Sequence, residues 1–200
     1  MKKAFATLAL ITSAIVGLPS CMPSGISSAA KLAALSPLDA DPGQFRVALV
    51  APAALRLKAG DARLGFGWAE TGKLASSKIY DLEIVPGTAA VLQSLPPLQS
   101  GQQVIALGLA PREVEAVLKF QQEVRDVKQA GRRGSGNISV SLAGGCWSEP
   151  FPADGKPLPL DIWLQPSAGG EYLPIMRGVD LRAILKKAGL TAVPQCTTAS

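Results

Sequence analysis

Three cysteines, at positions 21, 146 and 196, carry most of the chemistry open to this chain of 200 residues. A cysteine thiolate can act as a nucleophile, bind a metal or form a disulfide. The chain contains no histidine, the side chain that most often moves protons near neutral pH and ligates zinc. Catalytic devices of the Ser-His-Asp or Cys-His kind and zinc sites built from His and Cys are therefore excluded. We expect no catalytic residues, no metal and no cofactor.

The first cysteine, Cys21, follows a distinctive N-terminal segment. Two lysines near the start precede an apolar run over residues 4–17, and Leu18-Pro19-Ser20 then leads into the cysteine. The run of about 14 residues is too short for a membrane-spanning helix, which needs about 20, but it suits the central region of a signal peptide. We therefore expect residues 1–20 to be cleaved as a signal peptide.

This order of positive end, short apolar run and small residues before a cysteine resembles the signal peptide and lipobox of bacterial lipoproteins. The resemblance covers residues 1–21 only. It implies that the thiol of Cys21 receives a diacylglyceryl group, that the peptide is cut before it and that the new amino end is acylated. Met22, in place of Asp, resembles the pattern for lipid anchoring in the outer membrane, facing the periplasm. The alternatives are a soluble periplasmic protein, cut by the ordinary signal peptidase, and an uncleaved anchor.

The other two cysteines, Cys146 and Cys196, would then lie in a compartment where disulfides form and persist. We expect them to pair, which would tie the end of the chain to the body of the domain. A reactive thiol at Cys146 is the alternative. A nucleophilic cysteine needs a cationic or basic neighbour to lower its pKa, and residues 144–149 provide none.

Composition bounds the rest of the chain. Without the leader, the length suffices for one domain with a hydrophobic core. The leader also takes two lysines from a net charge of +5, and the mild positive charge that remains gives no argument for nucleic acid as a partner. We expect residues 21–43, rich in Ser, Ala and Pro, to form the lipidated N-terminus and a tether, and residues 44–200 to form a single β-rich domain.

From Phe45 onward, short apolar stretches alternate with turn residues, which is typical of a sheet protein. The predicted strands lie at 45–50, 55–58, 62–68, 78–84, 89–92, 103–109, 137–142, 160–164 and 171–176. This spacing predicts a mainly β fold, an antiparallel β-sandwich, for which an immunoglobulin-like topology is one option.

One segment has helical periodicity. Apolar residues recur at spacings of three and four between Val114 and Val127, while Pro111 suits the first helical turn and Gly131 suits the position just past the end. The sequence therefore predicts one long helix at about 111–130, inserted between two strands. A short C-terminal helix over 181–188, capped by Asp180, is also predicted.

Two features of the long helix could serve an interaction. Arg132 and Arg133 form a basic tip beyond its C-terminus, which could meet anionic lipid or a protein partner, or could simply be a solvated helix end. Val117 and Val124 belong to an apolar seam. The seam could pair with another chain, and packing on the protein's own sheet is the alternative.

These features lead to three hypotheses of function. The first is a non-enzymatic structural or interaction module at the outer membrane, anchored by its N-terminal lipid, with an unknown envelope protein as partner. The second is a periplasmic glycan- or lipid-binding module with walls formed by aromatic residues, namely Trp68, Trp147, Trp163 and Tyr172. The third is a hydrolase based on two converging carboxylates, with candidates Glu70, Asp81, Glu83, Glu149, Asp154, Asp161 and Glu171.

Overall fold

The computed structural model describes residues 40–70, 73–86 and 89–197. The signal peptide, Cys21 and most of the predicted tether lie outside the described residues. The strands are β1 (Arg46–Pro52), β2 (Leu55–Arg56), β3 (Ala62–Glu70), β4 (Lys73–Ile84), β5 (Gln102–Leu109), β6 (Gly134–Leu142), β7 (Cys146–Trp147), β8 (Pro159–Gln165) and β9 (Leu173–Asp180). The helices are α1 (Ala89–Ser94), α2 (Pro111–Gln129) and α3 (Leu181–Lys187), and a short 3-10 turn (Pro42–Gln44) precedes β1.

Seven strands form one antiparallel sheet in the order β6-β3-β4-β5-β1-β8-β9, and β2 pairs separately with β7. The long strand β4 pairs with two strands in succession. Its first part, up to Asp81, pairs with β3, and its last part, Leu82 to Ile84, pairs with β5. The sheet thus continues through β4 and is barrel-like. The predicted β-sandwich, immunoglobulin-like or otherwise, is not confirmed, since the strands join one large sheet instead of two facing sheets.

The main core lies on the face of the sheet that α2 covers. Alternate residues of β1, β3 and β4 enter this core, as the pattern of the sequence predicts; they are Val47, Leu49, Ala62, Leu64, Phe66, Trp68, Tyr80 and Leu82. From the helix, Val117, Phe120 and Val124 are 0%, 0% and 3% exposed. The helix begins at Pro111, as predicted, and ends at Gln129, one residue before the predicted end; Gly131, in the left-handed region (φ 79°), follows.

A second apolar cluster lies on the opposite face of the strands β5, β1 and β8. Ala48, Ala106 and Trp163 form its floor, and Val91 and Leu95 pack onto it. The central strand β1 is therefore covered on both faces, which explains its unbroken apolar run. The sequence predicts a strand at 89–92, and this prediction is wrong, because these residues form part of helix α1. An apolar run this short does not reveal its period, and here Val91 and Leu95, four residues apart, share the face of a helical turn that meets the sheet.

Tyr80 provides a test of the main core that depends on pH. Its hydroxyl donates to the carbonyl oxygen of Ala116 (3.3 Å), and its side chain is 3% exposed. Burial, aided by the negative charges of Glu123 and Glu113, raises the pKa of Tyr80 from 10.0 to about 12. The unfolded chain therefore loses this proton first, and we expect the free energy of unfolding to fall by on the order of 2 kcal/mol as the pH rises from 10 to 12.

Denaturant titrations across this pH range measure the effect. A Tyr80→Phe variant should lack this component of the pH dependence, while Tyr172→Phe should retain it. An identical dependence in Tyr80→Phe and in the wild type would show that the buried phenol of Tyr80 is not responsible.

Candidate functional site

Cys146 and Cys196 form a disulfide, with an S–S distance of 2.05 Å and a Cα–Cα distance of 4.8 Å, which confirms the predicted pair. Backbone hydrogen bonds run alongside it. The amide of Trp147 donates to Pro194 (2.8 Å), and the amide of Cys196 donates back to Trp147 (2.9 Å). The C-terminal segment is thus joined to β7, and with its sulfur in this bond Cys146 has no thiolate to act as a nucleophile.

The proline-rich loop next to the disulfide is fixed by Arg182. The guanidinium of Arg182 lies 5.1 Å from the ring centre of Phe151, which in turn packs edge-on against Trp147. Arg182 also donates to the carbonyl oxygens of Pro152 (2.7 Å) and Lys156 (2.8 Å). Loop, disulfide and helix α3 therefore form one bonded unit.

Asp180 caps α3 as the sequence predicts. Its carboxylate accepts from the amides of Leu158 (2.9 Å) and Arg182 (3.0 Å). The bond from Leu158 is the main cause that holds the pKa of Asp180 below its usual range, since a hydrogen bond to the charged form favours that form. The cap thus also binds the loop that precedes β8.

Arg132 and Arg133, the basic tip beyond α2, have different surroundings. Arg132 donates from Nε (3.0 Å) and Nη2 (2.7 Å) to Oε2 of Glu70, and the other carboxylate oxygen of Glu70 accepts from the indole of Trp68 (3.1 Å). Arg132 therefore links the C-terminal end of α2 to β3, and the carboxylate of Glu70 balances its charge. Arg133 is exposed beside the start of β6, so of the predicted pair it alone remains open to a partner.

The apolar seam of α2 faces the protein's own sheet. Val117 and Val124, which the sequence offered as a possible interface, are both buried in the main core. Neither side chain can reach a partner without unfolding, because both are enclosed by strands of the same chain. Leu118, which is 45% exposed, lies on the outer side of the helix.

The four aromatic residues of the ligand-binding hypothesis are also buried. Trp68, Trp147, Trp163 and Tyr172 are each less than a tenth exposed, and they divide between the two apolar clusters. Lys128 lies over the ring of Trp68 and Arg177 over that of Trp163, both at 5.4 Å. The structure thus uses these residues for packing and does not bring them together at one site.

An open cleft of about 620 Å³ adjoins the second apolar cluster. Two of its polar side chains are already bonded: Nη1 of Arg46 donates to the carbonyl oxygens of Gly43 (3.1 Å) and Phe45 (2.7 Å), and Gln165 donates to Gly170 (2.7 Å). Tyr172 also lines the cleft, and burial raises the pKa of its hydroxyl. These bonds give Arg46 and Gln165 a structural role at the cleft wall.

Several candidate acids of the hydrolase hypothesis lie in ion pairs. Asp81 pairs with Arg63 (3.3 Å) and Arg112 (3.1 Å), while Asp154 pairs with Lys156 (3.2 Å) and Arg182. The pairs of Asp81 connect β4 with β3 and α2, and the pair of Asp154 with Arg182 connects the loop before β8 with α3. Within the described ranges, no group of three or more His, Cys, Asp or Glu residues could hold a metal ion.

In the part of the chain that the structure describes, no helix is long and apolar enough to cross a bilayer. Comparison with known proteins found no match among protein-family models, curated proteins or solved structures.

Proposed function

We propose that this protein is a lipoprotein of the bacterial cell envelope, anchored through acyl chains on Cys21 in the outer membrane, and that its β-rich domain is a non-enzymatic interaction module facing the periplasm. The observation that supports the compartment best is the disulfide between Cys146 and Cys196. Structural disulfides are typical of oxidising compartments such as the periplasm. The resemblance of residues 1–21 to a lipoprotein leader supplies the route to that compartment.

The way in which the domain uses its chemically capable residues supports an interaction module. Glu70, Asp81 and Asp154 lie in ion pairs that connect different elements of the fold. The tryptophans are core residues. The domain presents to its surroundings a sheet that α2 covers on one face, with the C-terminal segment joined to β7 by the disulfide.

The anchor follows from the energetics of acyl chains. Each buried methylene contributes about 0.8 kcal/mol, a single chain binds a membrane only marginally, and two or more chains anchor a protein stably. The lipoprotein pattern supplies more than one chain at Cys21. The domain would then stay at the membrane surface, where it would meet neighbouring proteins by diffusion in the plane of the membrane.

The experiment is fractionation of bacterial cells that express the full chain. We expect the wild type in the membrane fraction, an uncut precursor after globomycin treatment, and a loss of membrane association in Cys21→Ala. Ser24→Ala, three residues further on, serves as the matched control and should stay with the membrane. Membrane association of Cys21→Ala equal to that of the wild type would overturn the anchor, and release of reducing ends from envelope glycan by the purified protein would overturn the non-enzymatic assignment.

A further inference from the structure

Strand β6 is an outermost strand of the sheet, and it carries none of the usual protection of an edge. It pairs with β3 over all nine residues without a register shift, and no described strand lies on its other side. Its sequence, GSGNISVSL, contains no charged residue and no proline. A long, regular and uncharged edge of this kind is a template for pairing with another strand.

The opposite edge of the same sheet shows the contrast. Strand β9 contains Pro174, Arg177 and a left-handed Gly178 (φ 62°), and its pairing with β8 is interrupted by two register shifts. Proline, charge and irregular pairing are the devices by which proteins block strand addition. One edge of this sheet is therefore protected and the other is open.

Hydrogen bonding identifies the groups that β6 leaves open. The amide of Ala143, just after the strand, donates to the carbonyl oxygen of Asp61 in the direction of β3 (2.7 Å). Because this direction alternates along a strand, odd-numbered residues such as Ser139 bond to β3. Even-numbered residues, including Gly136, Ile138 and Val140, direct both N–H and C=O to the open edge.

The side chains of β6 suit a further strand on both faces. On the core side, Ile138 lies opposite Phe66 and Val140 lies opposite Leu64, and both side chains are only half-buried, so the apolar core is incompletely covered there. On the outer side, Asn137 and Ser139 lie over two glycines of β3, where a Cβ would clash with them. An added strand would cover the core side and meet only short polar groups on the outer side.

We propose that β6 pairs with β6 of a second copy of this chain, antiparallel about a twofold axis at Ile138. This register places Ile138 opposite its own copy and Gly136 opposite Val140, and it joins two sheets into one. Core-side residues then meet core-side residues, and every outward N–H meets an outward C=O. The proposal gives the interaction module its partner and rests on that part of the proposed function, but it does not depend on the lipid anchor.

Charge favours a second copy in this orientation. The strand itself is uncharged, so no like charges meet along it. Its start is flanked by the exposed Arg133, whereas Asp61, near its end, is buried and accepts from the backbone amide of Lys58. Antiparallel pairing keeps the two copies of Arg133 at opposite ends of the paired strands, whereas parallel pairing would bring the two arginines together.

Amide hydrogen exchange tests the proposal with the full chain carrying Cys21→Ala, so that lipid does not drive association. With rising protein concentration, light scattering should show twice the monomer mass. The amides of Ile138 and Val140 should become protected by about tenfold or more, while that of Ser139 should exchange slowly at every concentration. A monomer at all concentrations, or a dimer without protection at Ile138 and Val140, would overturn the proposal.

Two matched variants test the register. Ser135 and Ser141 are exposed residues that face each other across the proposed axis. Ser135→Lys with Ser141→Lys places like charges opposite each other and should abolish the dimer. Ser135→Lys with Ser141→Glu places opposite charges there and should keep it. Equal dimerisation of the two variants would overturn the proposed pairing, and either result leaves the fractionation test of the anchor unaffected.

Discussion

Replacing Val117 and Val124 together by glutamate should unfold the domain. Both side chains are almost fully buried in the main core, 0% and 3% exposed, on the helix face that carries Phe120. A carboxylate moved from water to an apolar site without a partner costs several kcal/mol. Two such sites together approach or exceed the total stability of about 5–15 kcal/mol expected for a domain. Thermal melting followed by near-UV circular dichroism should therefore show no cooperative transition.

Leu118→Glu is the matched control. It introduces the same side chain into the same helix, but at a position that is 45% exposed, so its effect on the free energy of unfolding should stay within about 0.5 kcal/mol. A double variant that melts like the wild type would mean that the seam is open and available to a partner. The fold excludes this because the strands of the same chain occupy the space in front of the seam.

The sequence predicts those elements well whose signal is local. The alternating segments 62–68 and 137–142 correspond to Ala62–Glu70 and Gly134–Leu142, and the long helix is displaced by only one residue at its end. In each case the period of the apolar residues matches the surface on which the element packs. Helix α1 is the counterexample, because a short apolar run fits either period.

The architecture as a whole depends on pairings that no local pattern encodes. A sandwich and a single curled sheet have the same alternation along each strand. The difference lies in β4, which changes its partner from β3 to β5 after Asp81. The two-residue strands β2 and β7 are also determined by distant contacts, since Leu55 pairs with Trp147 and the disulfide lies beside them.

Among the functional residues, too, some could be predicted from the sequence and others depend on contacts between distant segments. The disulfide could be predicted because the resemblance of residues 1–21 to a lipoprotein leader assigns Cys21 to lipid and leaves two cysteines to pair. The ion pair of Arg132 with Glu70, separated by 62 residues, could not, because it depends on the end of α2 meeting β3. The uncharged sequence of β6 is visible beforehand, but its meaning appears only when the order of the strands makes it an edge.

Replacing Cys146 and Cys196 together by alanine should destabilise the domain by about 4 kcal/mol. The bond closes a loop with a sequence separation of 50, and closure of such a loop restricts the unfolded chain by about that free energy in the chain-entropy model. The bond also holds Val193, which packs in the main core. Urea denaturation of the full chain carrying Cys21→Ala should therefore show a lower midpoint in the variant, while reductant should lower the midpoint of the parent to the same value.

The loss of stability in the variant without the disulfide should begin at the C-terminal segment. Without the bond, the backbone hydrogen bonds between Trp147 and the segment Pro194–Cys196 and the packing of Val193 hold the C-terminal segment in place. Amides of that segment should lose protection from hydrogen exchange first, ahead of those in β3, which is paired on both sides. Equal midpoints in parent and variant, or a loss of protection that begins in β3, would show that the disulfide does not fasten the C-terminus. The order in which amides lose protection thus distinguishes a disulfide that holds the C-terminal segment in place from one that acts only by restricting the unfolded chain.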